Sequence, residues 1–153
     1  IRDWIDLPML VEVARQRPQW QFVFLGDSTE DLSAAKVQAN MHFFGHQPYA
    51  ELPAWCGGFD VGLIPFRRNE LTEAVNPIKL REYLAAGLPV VSSRMPEVVQ
   101  YAEWVDFADT AEEFILAAEA ALARTADQRA AAQNAMRRET WDAKLAEIES
   151  HLN

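Results

Sequence analysis

The chain has 153 residues, of which 50% are hydrophobic and 24% charged, a composition typical of one soluble globular domain with a sizeable core. Its formal net charge of -9 argues against a general nucleic-acid binder or a binder of anionic membranes, because such proteins need a basic surface. No apolar run is long enough to span a membrane, and no signal peptide is visible in the residues given.

The first half of the chain alternates helical and strand patterns. Asp6 is suited to cap a first helix, and Pro18 to end it. In chain order we predict a helix that ends near Gln16, a strand over 20–25, a weaker helix over 29–38, a strand over 41–44, a broken helical segment from Tyr49 to the Gly57-Gly58 pair, and a buried strand over 61–65.

The second half is organised around a helix that opens after a polar loop. Residues 67–75 have no periodicity and are predicted to be a loop. Asn76 is a good N-cap and Pro77 suits the first helical position, while Gly87 is expected to end the helix in the left-handed conformation. The elements predicted after it are a strand over 88–92, a short helix over 95–101, a strand over 104–108, a helix with a Thr110–Glu113 capping box, an alanine-rich helix from Asp127, and a final helix capped by Thr140.

Strands that alternate with helices predict a parallel sheet covered on both faces. Ligands bind at the carboxyl ends of such strands, so the loops after Leu25, Phe44, Pro65 and Ser92 are expected to share one rim. A sheet of this kind usually begins with a strand, whereas this chain begins with a helical pattern. We therefore expect a single domain over residues 1–153 that lacks its first strand, with a helical tail over 127–153.

One face of the central helix carries polar side chains at three-residue spacing. Asn76, Lys79 and Glu82 place a cation and a carboxylate together, close to backbone N–H groups that the start of a helix leaves free. Residues 67–94 also contain five basic and three acidic side chains, a local excess of +2 in an acidic chain. This arrangement suits a phosphate and a hydroxyl-bearing group held side by side.

Each of these side chains also has a purely structural interpretation. Lys79 is either a phosphate ligand or a solvated lysine, and Arg67 with Arg68 is either a diphosphate clamp or a solvated pair. Glu82 either forms a surface ion pair worth about 0.2–0.5 kcal/mol or accepts two hydrogen bonds from a vicinal diol such as a ribose. His46 is more often a loop histidine than a ligand.

Several other kinds of chemistry lose support from the sequence. It contains no dinucleotide fingerprint, no P-loop and no G-x-S-x-G elbow. The histidines His42, His46 and His151 are too scattered for a metal site, and Cys56, the single cysteine, is expected to be structural. A lone cysteine also suits a reducing compartment, so we expect a cytoplasmic protein. Because the histidines are scattered and these motifs are missing, we expect no metal ion and no cofactor.

Two runs of sequence resemble the C-terminal half of a GT-B glycosyltransferase, of the large retaining group usually called family four. They are FDVGLIPF at 59–66 and NPxKxxEYLAxGxPVV at 76–91. Further matches are RPxWxFxFxG at 17–26, FGxxPYxxLP at 44–53 and TWD at 140–142. The resemblance therefore covers nearly the whole chain, and its central segment is specific.

The resemblance implies a three-layer, Rossmann-like α/β/α domain that binds a nucleotide sugar in the cleft between two such domains. Glu82 matches the second glutamate of a paired-glutamate motif that holds the ribose hydroxyls. The backbone at Asn76, Pro77 and Ile78 would meet the diphosphate, and the loop that contains Gly45, His46 and Pro48 would lie against the base.

The chain departs from the family pattern at two places. Ala74 stands where the first glutamate of the pair is expected, eight positions before Glu82, and Glu73 is the neighbouring candidate for that catalytic role. The phosphate-binding arginine and lysine of many members have no clear match. Arg2 is the nearest residue, and Lys79 or Arg67 would compensate.

On this resemblance we expect the donor-binding half of an enzyme that transfers a sugar from a nucleoside-diphosphate sugar to an acceptor, in polysaccharide or glycolipid biosynthesis. Its partner would be an N-terminal domain that this chain does not contain, so we expect the chain alone to be inactive. The full-length protein could then lie at the inner face of the membrane. Two alternatives stay open: a nucleotide-sugar epimerase of similar architecture and a non-catalytic nucleotide-sugar-binding module. The sequence leaves donor, acceptor and oligomeric state open.

Overall fold

The structure is a computed structural model that describes residues 1–140, 145 and 149–150. Short parallel strands alternate with helices along the chain. The helices are α1 (Leu7–Gln16), α2 (Ser33–Lys36), α3 (Leu52–Cys56), α4 (Glu70–Glu73), α5 (Ile78–Ala85), α6 (Pro96–Val99), α7 (Ala111–Leu122) and α8 (Ala126–Met136), with 3₁₀ turns at Tyr49–Glu51 and Arg137–Glu139. The strands are β1 (Phe22–Phe24), β2 (Met41–Phe43), β3 (Gly62–Ile64), β4 (Val90–Ser92) and β5 (Val105–Phe107).

The strands form two parallel sheets. One consists of β1 and β2, with Val23 opposite His42, and the other has the order β3-β4-β5, with Leu63 opposite Val91. Antiparallel bridges outside the strands join Ile5 to Phe66 and Gly26 to Gly45. The first bridge joins the segment before α1 to the segment after β3, and the second joins the segments after β1 and β2.

Helices cover both faces of the three-stranded sheet. Adjacent residues of β4 point to opposite faces, and Val90 and Val91 are both fully buried. Val91 belongs to a core shared with α1, α7 and the β1–β2 sheet, whereas Val90 belongs to a second core with α5, α6 and α8. The predicted α/β class, with a parallel sheet between two helical layers, is therefore confirmed.

The helix ends follow local capping chemistry. Asp6 Oδ1 accepts a hydrogen bond from the Met9 amide at 3.1 Å and so caps α1, as predicted. Gly87 has φ +78° and follows Ala86, the C-cap of α5, which confirms the predicted left-handed residue. The predicted helix over 29–38 is confirmed only as the single turn α2.

Two local predictions about the segment before α5 are wrong. Residues 67–75 are not all loop, because Asn69 and Thr72 form a capping box at the start of α4. Asn76 is not the N-cap of α5: the helix begins at Ile78 after Pro77, and Asn76 Oδ1 accepts a hydrogen bond from Arg81 Nη1 at 2.6 Å instead.

The alanine-rich helix also starts earlier than predicted. The capping residue is Thr125, whose hydroxyl accepts from the Gln128 amide, so α8 begins at Ala126 and not at Asp127. The final helix predicted after Thr140 falls mostly on residues outside those described. None of the described helices is long and apolar enough to cross a membrane.

Candidate functional site

A cavity of about 520 Å³ lies where the segments after β1 and β2 meet α5. The loop after β1 contributes Gly26, and the loop after β2 contributes His46 and Gln47. Helix α5 contributes Lys79 and Glu82. The remaining lining residues are Val23, Leu25, Tyr49, Leu52, Pro53, Cys56, Phe59, Tyr83 and Ala86. Two of the four loops predicted to share a rim therefore meet in this cavity.

Two glycines shape the loops at the edge of the cavity. Gly26 has φ +105° and Gly45 has φ +68°, conformations that other residues adopt only at a cost. The Gly26 amide donates to the Gly45 carbonyl at 2.6 Å, which joins the ends of β1 and β2. The loop after β2 is thereby held beside the loop after β1.

Glu82 is the central polar group of the cavity, and its side chain is 27% exposed. One carboxylate oxygen, Oε2, accepts from the Lys79 ammonium at 2.7 Å. The other, Oε1, accepts from the Tyr49 hydroxyl at 3.3 Å. The carboxylate therefore lies between a cation on its own helix and a hydroxyl from the 3₁₀ turn at Tyr49–Glu51.

Two ionisable groups near Glu82, the Cys56 thiol and the Tyr83 hydroxyl, have raised pKa values. Burial, together with the negative charge of Glu82, raises the pKa of the Cys56 thiol. Burial raises the pKa of the Tyr83 hydroxyl to about 12. Both side chains stay protonated at neutral pH, and a raised pKa does not favour a nucleophilic thiolate at Cys56.

The structure brings some of the predicted site residues into the cavity and leaves others beside it. Lys79, Glu82 and His46 line it, and Gly45 holds the loop to which His46 belongs. Pro48 precedes the 3₁₀ turn that carries Tyr49. The remaining predicted residues at the start of α5 are the buried Pro77 and two exposed side chains, Asn76 and Ile78.

Glu73 and Arg67 lie outside this cavity. Glu73, in α4, pairs with Arg68 at 3.4 Å, and Arg68 also approaches Asp109 at 3.9 Å. The Arg67 amide donates to the Trp4 carbonyl at 2.7 Å, and its side chain is exposed. Residues from the segments after β3 and β5 thus form a charged cluster whose members do not line the cavity.

Sequence reasoning missed the contribution of Tyr49. The residue was part of the FGxxPYxxLP match, but no pattern in the chain connects it with Glu82, which lies 33 positions later. Tyr83 was also not singled out as a site residue, although it lines the cavity, whereas Gln47 belongs to the loop predicted to lie against the base. A tyrosine directly after a loop proline, in the segment that follows β2, was the available signal.

The arrangement combines anion-binding and hydroxyl-binding groups. Lys79, whose side chain is 48% exposed, can balance the charge of a phosphate. It lies in the first turn of α5, where the start of a helix leaves backbone N–H groups without partners in the helix. The Glu82 carboxylate can accept hydrogen bonds from ligand hydroxyls. Within the described residues, no group of three or more His, Cys, Asp or Glu side chains could hold a metal ion.

Two comparisons with known proteins both find similarity to glycosyltransferases. The family model described as "Glycosyl transferases group 1" matches residues 7–128. The chain is also 30% identical, over an alignment of 162 positions, to the "Putative teichuronic acid biosynthesis glycosyltransferase TuaH" of Bacillus subtilis (strain 168). That alignment covers 97% of this chain and 40% of the relative, so the chain spans less than half of the relative's length.

Proposed function

Because the chain belongs to the family of glycosyl transferases group 1, we propose that it binds the nucleoside-diphosphate sugar from which the full-length protein transfers a sugar to an acceptor. The observation that carries the proposal is the position of Glu82. Its carboxylate faces a cavity at the carboxyl ends of β1 and β2, beside a lysine and the start of a helix. Ligands of parallel α/β sheets bind at this edge.

The proposed binding mode follows the chemistry of the lining groups. The donor ribose would donate hydrogen bonds to Glu82, and its diphosphate would lie at Lys79 and the first amides of α5. The base would lie along the loop after β2, beside His46 and Gln47. Leu52 and Pro53 add apolar surface to the lining of the same cavity.

The proposed role of Lys79 is electrostatic. Charge accumulates on the diphosphate as the bond to the sugar breaks, and an ammonium group with the helix N-terminus stabilises that charge. Lys79 is already paired with Glu82, so a ribose hydroxyl would compete with it for Oε2. Binding would then release the ammonium group toward the phosphates.

Glu73 remains the proposed neighbour of the reacting sugar. It extends from α4, in the segment that leads from β3 to α5. Its pairing with the exposed Arg68 leaves both groups accessible, since their side chains are 53% and 51% exposed. An ion pair this exposed is worth less than about 1 kcal/mol, so a ligand can displace it.

The named role of the relative suggests the acceptor class. That relative is named for teichuronic acid biosynthesis, a name in line with the polysaccharide biosynthesis expected from the resemblance. We propose that the full-length protein likewise extends a polysaccharide, and that the chain alone, without the rest of the cleft, transfers no sugar. A cytoplasmic location and independence from metal ions are part of the proposal.

Titration calorimetry of the purified chain with UDP, GDP and ADP tests the donor-binding role. We expect one nucleoside diphosphate to bind at least tenfold more tightly than the other two, with unchanged affinity after addition of a chelator. Three equal affinities, or no binding at all, would contradict the proposal.

A second candidate function is that of a non-catalytic module that binds a sugar nucleotide. It is favoured by Ala74, a residue without a carboxylate at the C-cap of α4. Transfer of radiolabelled sugar by the full-length protein separates the two functions. Activity that falls at least a hundredfold in Glu73→Ala supports the enzyme, and an inactive full-length protein that still binds donor supports the module.

A further inference from the structure

Helix α5 begins without the side-chain cap that the other long helices of the described chain have. Asp6, Thr110 and Thr125 accept hydrogen bonds from amides in the first turns of α1, α7 and α8. At the start of α5 stands Pro77, which has no side-chain oxygen, and none of the described side chains caps the helix. The first amides of α5 are therefore open to a ligand or to a competing acceptor.

Asn76 is the competing acceptor closest in the sequence. It directly precedes Pro77, and asparagine followed by proline is a favourable combination of N-cap and first helical residue. In that arrangement its side-chain oxygen would accept from the second or third helical residue, which are Ile78 and Lys79. The diphosphate is proposed to lie at these same amides, so a cap by Asn76 would occupy part of the proposed binding site.

The structure shows Asn76 held away from this arrangement. Arg81 Nη1 donates to Asn76 Oδ1 at 2.6 Å, and Pro77 has an extended conformation with φ -74° and ψ 109°. Within the described part of the chain, the first amide of α5 with a hydrogen bond is that of Leu80, which donates to the Pro77 carbonyl at 3.1 Å. The oxygen that would cap α5 is therefore occupied by a guanidinium group on the same helix.

Two further contacts hold Arg81 in place. Its Nε donates to Glu139 Oε2 at 3.4 Å, and its guanidinium carbon lies 5.4 Å from the centroid of the Tyr101 ring. The side chain is only 26% exposed, so these contacts restrict where the guanidinium group can turn. A fixed, charged donor is a stronger partner for Asn76 Oδ1 than a neutral backbone amide is.

We propose that Arg81 is a positioning residue: by holding Asn76 it keeps this side chain from capping α5, and so leaves the first amides of the helix free for the diphosphate. The part that concerns the diphosphate rests on the proposed function, whereas the competition for Asn76 does not. Loss of the guanidinium group would release Asn76, and Pro77 would then take the first helical position. The helix would bind its own side chain where the ligand is proposed to bind.

Hydrogen exchange of the ligand-free chain, measured by NMR, tests the competition directly. Arg81→Met keeps an apolar side chain against its neighbours and removes the donors. Arg124→Met is the matched control, because Arg124 forms a similar, largely buried ion pair with Asp106 of β5 at 2.9 Å. The Leu88 amide, which donates to the Tyr83 carbonyl at 3.0 Å beyond the end of α5, reports whether the helix is intact.

We expect Arg81→Met to slow exchange at the Ile78 or Lys79 amide about threefold or more, because a cap by Asn76 protects one of them. The control Arg124→Met should change exchange at both amides less than twofold. Unchanged or faster exchange at both amides in Arg81→Met, with Leu88 still protected, would overturn the proposal.

A second variant, Asn76→Ala, keeps Arg81 in place and covers the case in which Arg81→Met does not fold. Because Asn76 does not cap α5 while Arg81 holds it, we expect exchange at Ile78 and Lys79 to stay within twofold of the wild-type rate. Exchange that becomes about threefold faster or more would show that Asn76 caps the helix in the presence of Arg81, and would overturn the proposal.

Calorimetry with the preferred nucleoside diphosphate tests the consequence for binding. We expect Arg81→Met to weaken binding about three- to tenfold, since the ligand must then displace an N-cap, and less than twofold when it is added to a chain that already carries Asn76→Ala. Equal weakening in the two backgrounds would identify a merely structural arginine and overturn the proposal. If the wild-type chain binds no nucleoside diphosphate, the proposed function fails, and the exchange measurement still decides whether Arg81 withholds Asn76 from the helix.

Discussion

At the scale of single residues, the Glu82 carboxylate accepts hydrogen bonds from one group that is close in the sequence and one that is distant. Lys79 is three positions away on the same helix, whereas Tyr49 reaches Glu82 from another element. The spacing of the helix predicted the Lys79 contact, because side chains three apart share a face. It could not predict the Tyr49 contact, which depends on how the 3₁₀ turn packs beside α5.

Replacement of Tyr49 by phenylalanine tests whether this hydroxyl orients the carboxylate. Tyr49→Phe removes the 3.3 Å hydrogen bond to Oε1 and leaves the ring in place. We expect nucleoside-diphosphate affinity to fall roughly three- to tenfold by calorimetry, since a hydrogen bond to a charged group is worth about 1.5–3 kcal/mol before the effect of exposure is discounted. An unchanged affinity would show that the hydroxyl does not orient the carboxylate.

Gly62 illustrates a residue whose role is steric. A Cβ at this position would lie 2.5 Å from Tyr83 Cδ2, so the aromatic ring packs directly on the strand backbone. We expect Gly62→Ala to lower the free energy of unfolding by about 1–3 kcal/mol, measured by urea denaturation. Gly58→Ala is the matched control, because its nearest contact would be 3.5 Å from the Trp55 carbonyl oxygen. Equal effects of the two substitutions would contradict the steric role.

At the scale of secondary-structure elements, a single side chain ties α1 to the first sheet. Asn40 is buried, and its Nδ2 donates to the carbonyls of Ala14, Arg17 and Trp20 at 3.0–3.2 Å. These carbonyls lie at the end of α1 and in the turn that leads to β1. The side chain therefore fixes the path from helix to strand.

Loss of these hydrogen bonds should destabilise the fold. Asn40→Ala removes the side-chain donor from the Ala14 and Trp20 carbonyls, whereas the Arg17 carbonyl still accepts from the Trp20 amide. We expect the free energy of unfolding to fall by about 1–3 kcal/mol in urea denaturation. The matched control is Gln38→Ala, whose side chain makes a single exposed bond to Ala34 O at 3.4 Å. A loss below about 0.5 kcal/mol at Asn40 would show that water replaces the missing amide.

Elements with strong local signals were predictable from the sequence. Asp6 before an apolar stripe predicted the start of α1, and Gly87 predicted the end of α5. The errors arose where two local signals compete. Asn69 with Thr72 starts a helix that is only one turn long, too short for a periodic pattern, and Asn76 was assigned to a cap although its side chain pairs with Arg81.

The order of the strands illustrates what the sequence could not provide. Alternation of helices and strands predicted parallel pairing, which is confirmed for all described strand pairs. The sequence did not show that β1 pairs with β2 while β3 joins β4 and β5, because each pairing joins residues well separated in the chain, such as Gly62 with Val90. The predicted site likewise needed the fold to show that the segments after β3 and β5 form a separate charged cluster.

At the scale of the whole molecule, the raised pKa of Tyr83 makes stability depend on alkaline pH. The hydroxyl has an ordinary pKa near 10 in the unfolded chain and about 12 in the fold, so folding favours the protonated form. This contribution is fully present below pH 10 and is lost as pH rises from 10 to 12.

We expect the free energy of unfolding to fall between pH 9.5 and 11.5 by roughly 1–2 kcal/mol more in the wild-type chain than in Tyr83→Phe, by urea denaturation at each pH. Phenylalanine keeps the ring against Gly62 and removes the titrating group. Parallel pH profiles for the two chains would contradict the assignment of this dependence to Tyr83.

The central claim is that the Glu82 carboxylate binds the donor nucleotide, and calorimetry of the Glu82→Ala chain with the preferred nucleoside diphosphate tests it most directly. Glu12→Ala is the matched control, because Glu12 and Arg15 form a surface pair at the same i,i+3 spacing on α1, away from the cavity. We predict that Glu82→Ala weakens binding at least tenfold while Glu12→Ala changes it less than twofold. Equal affinities for the Glu82→Ala and wild-type chains would contradict the account.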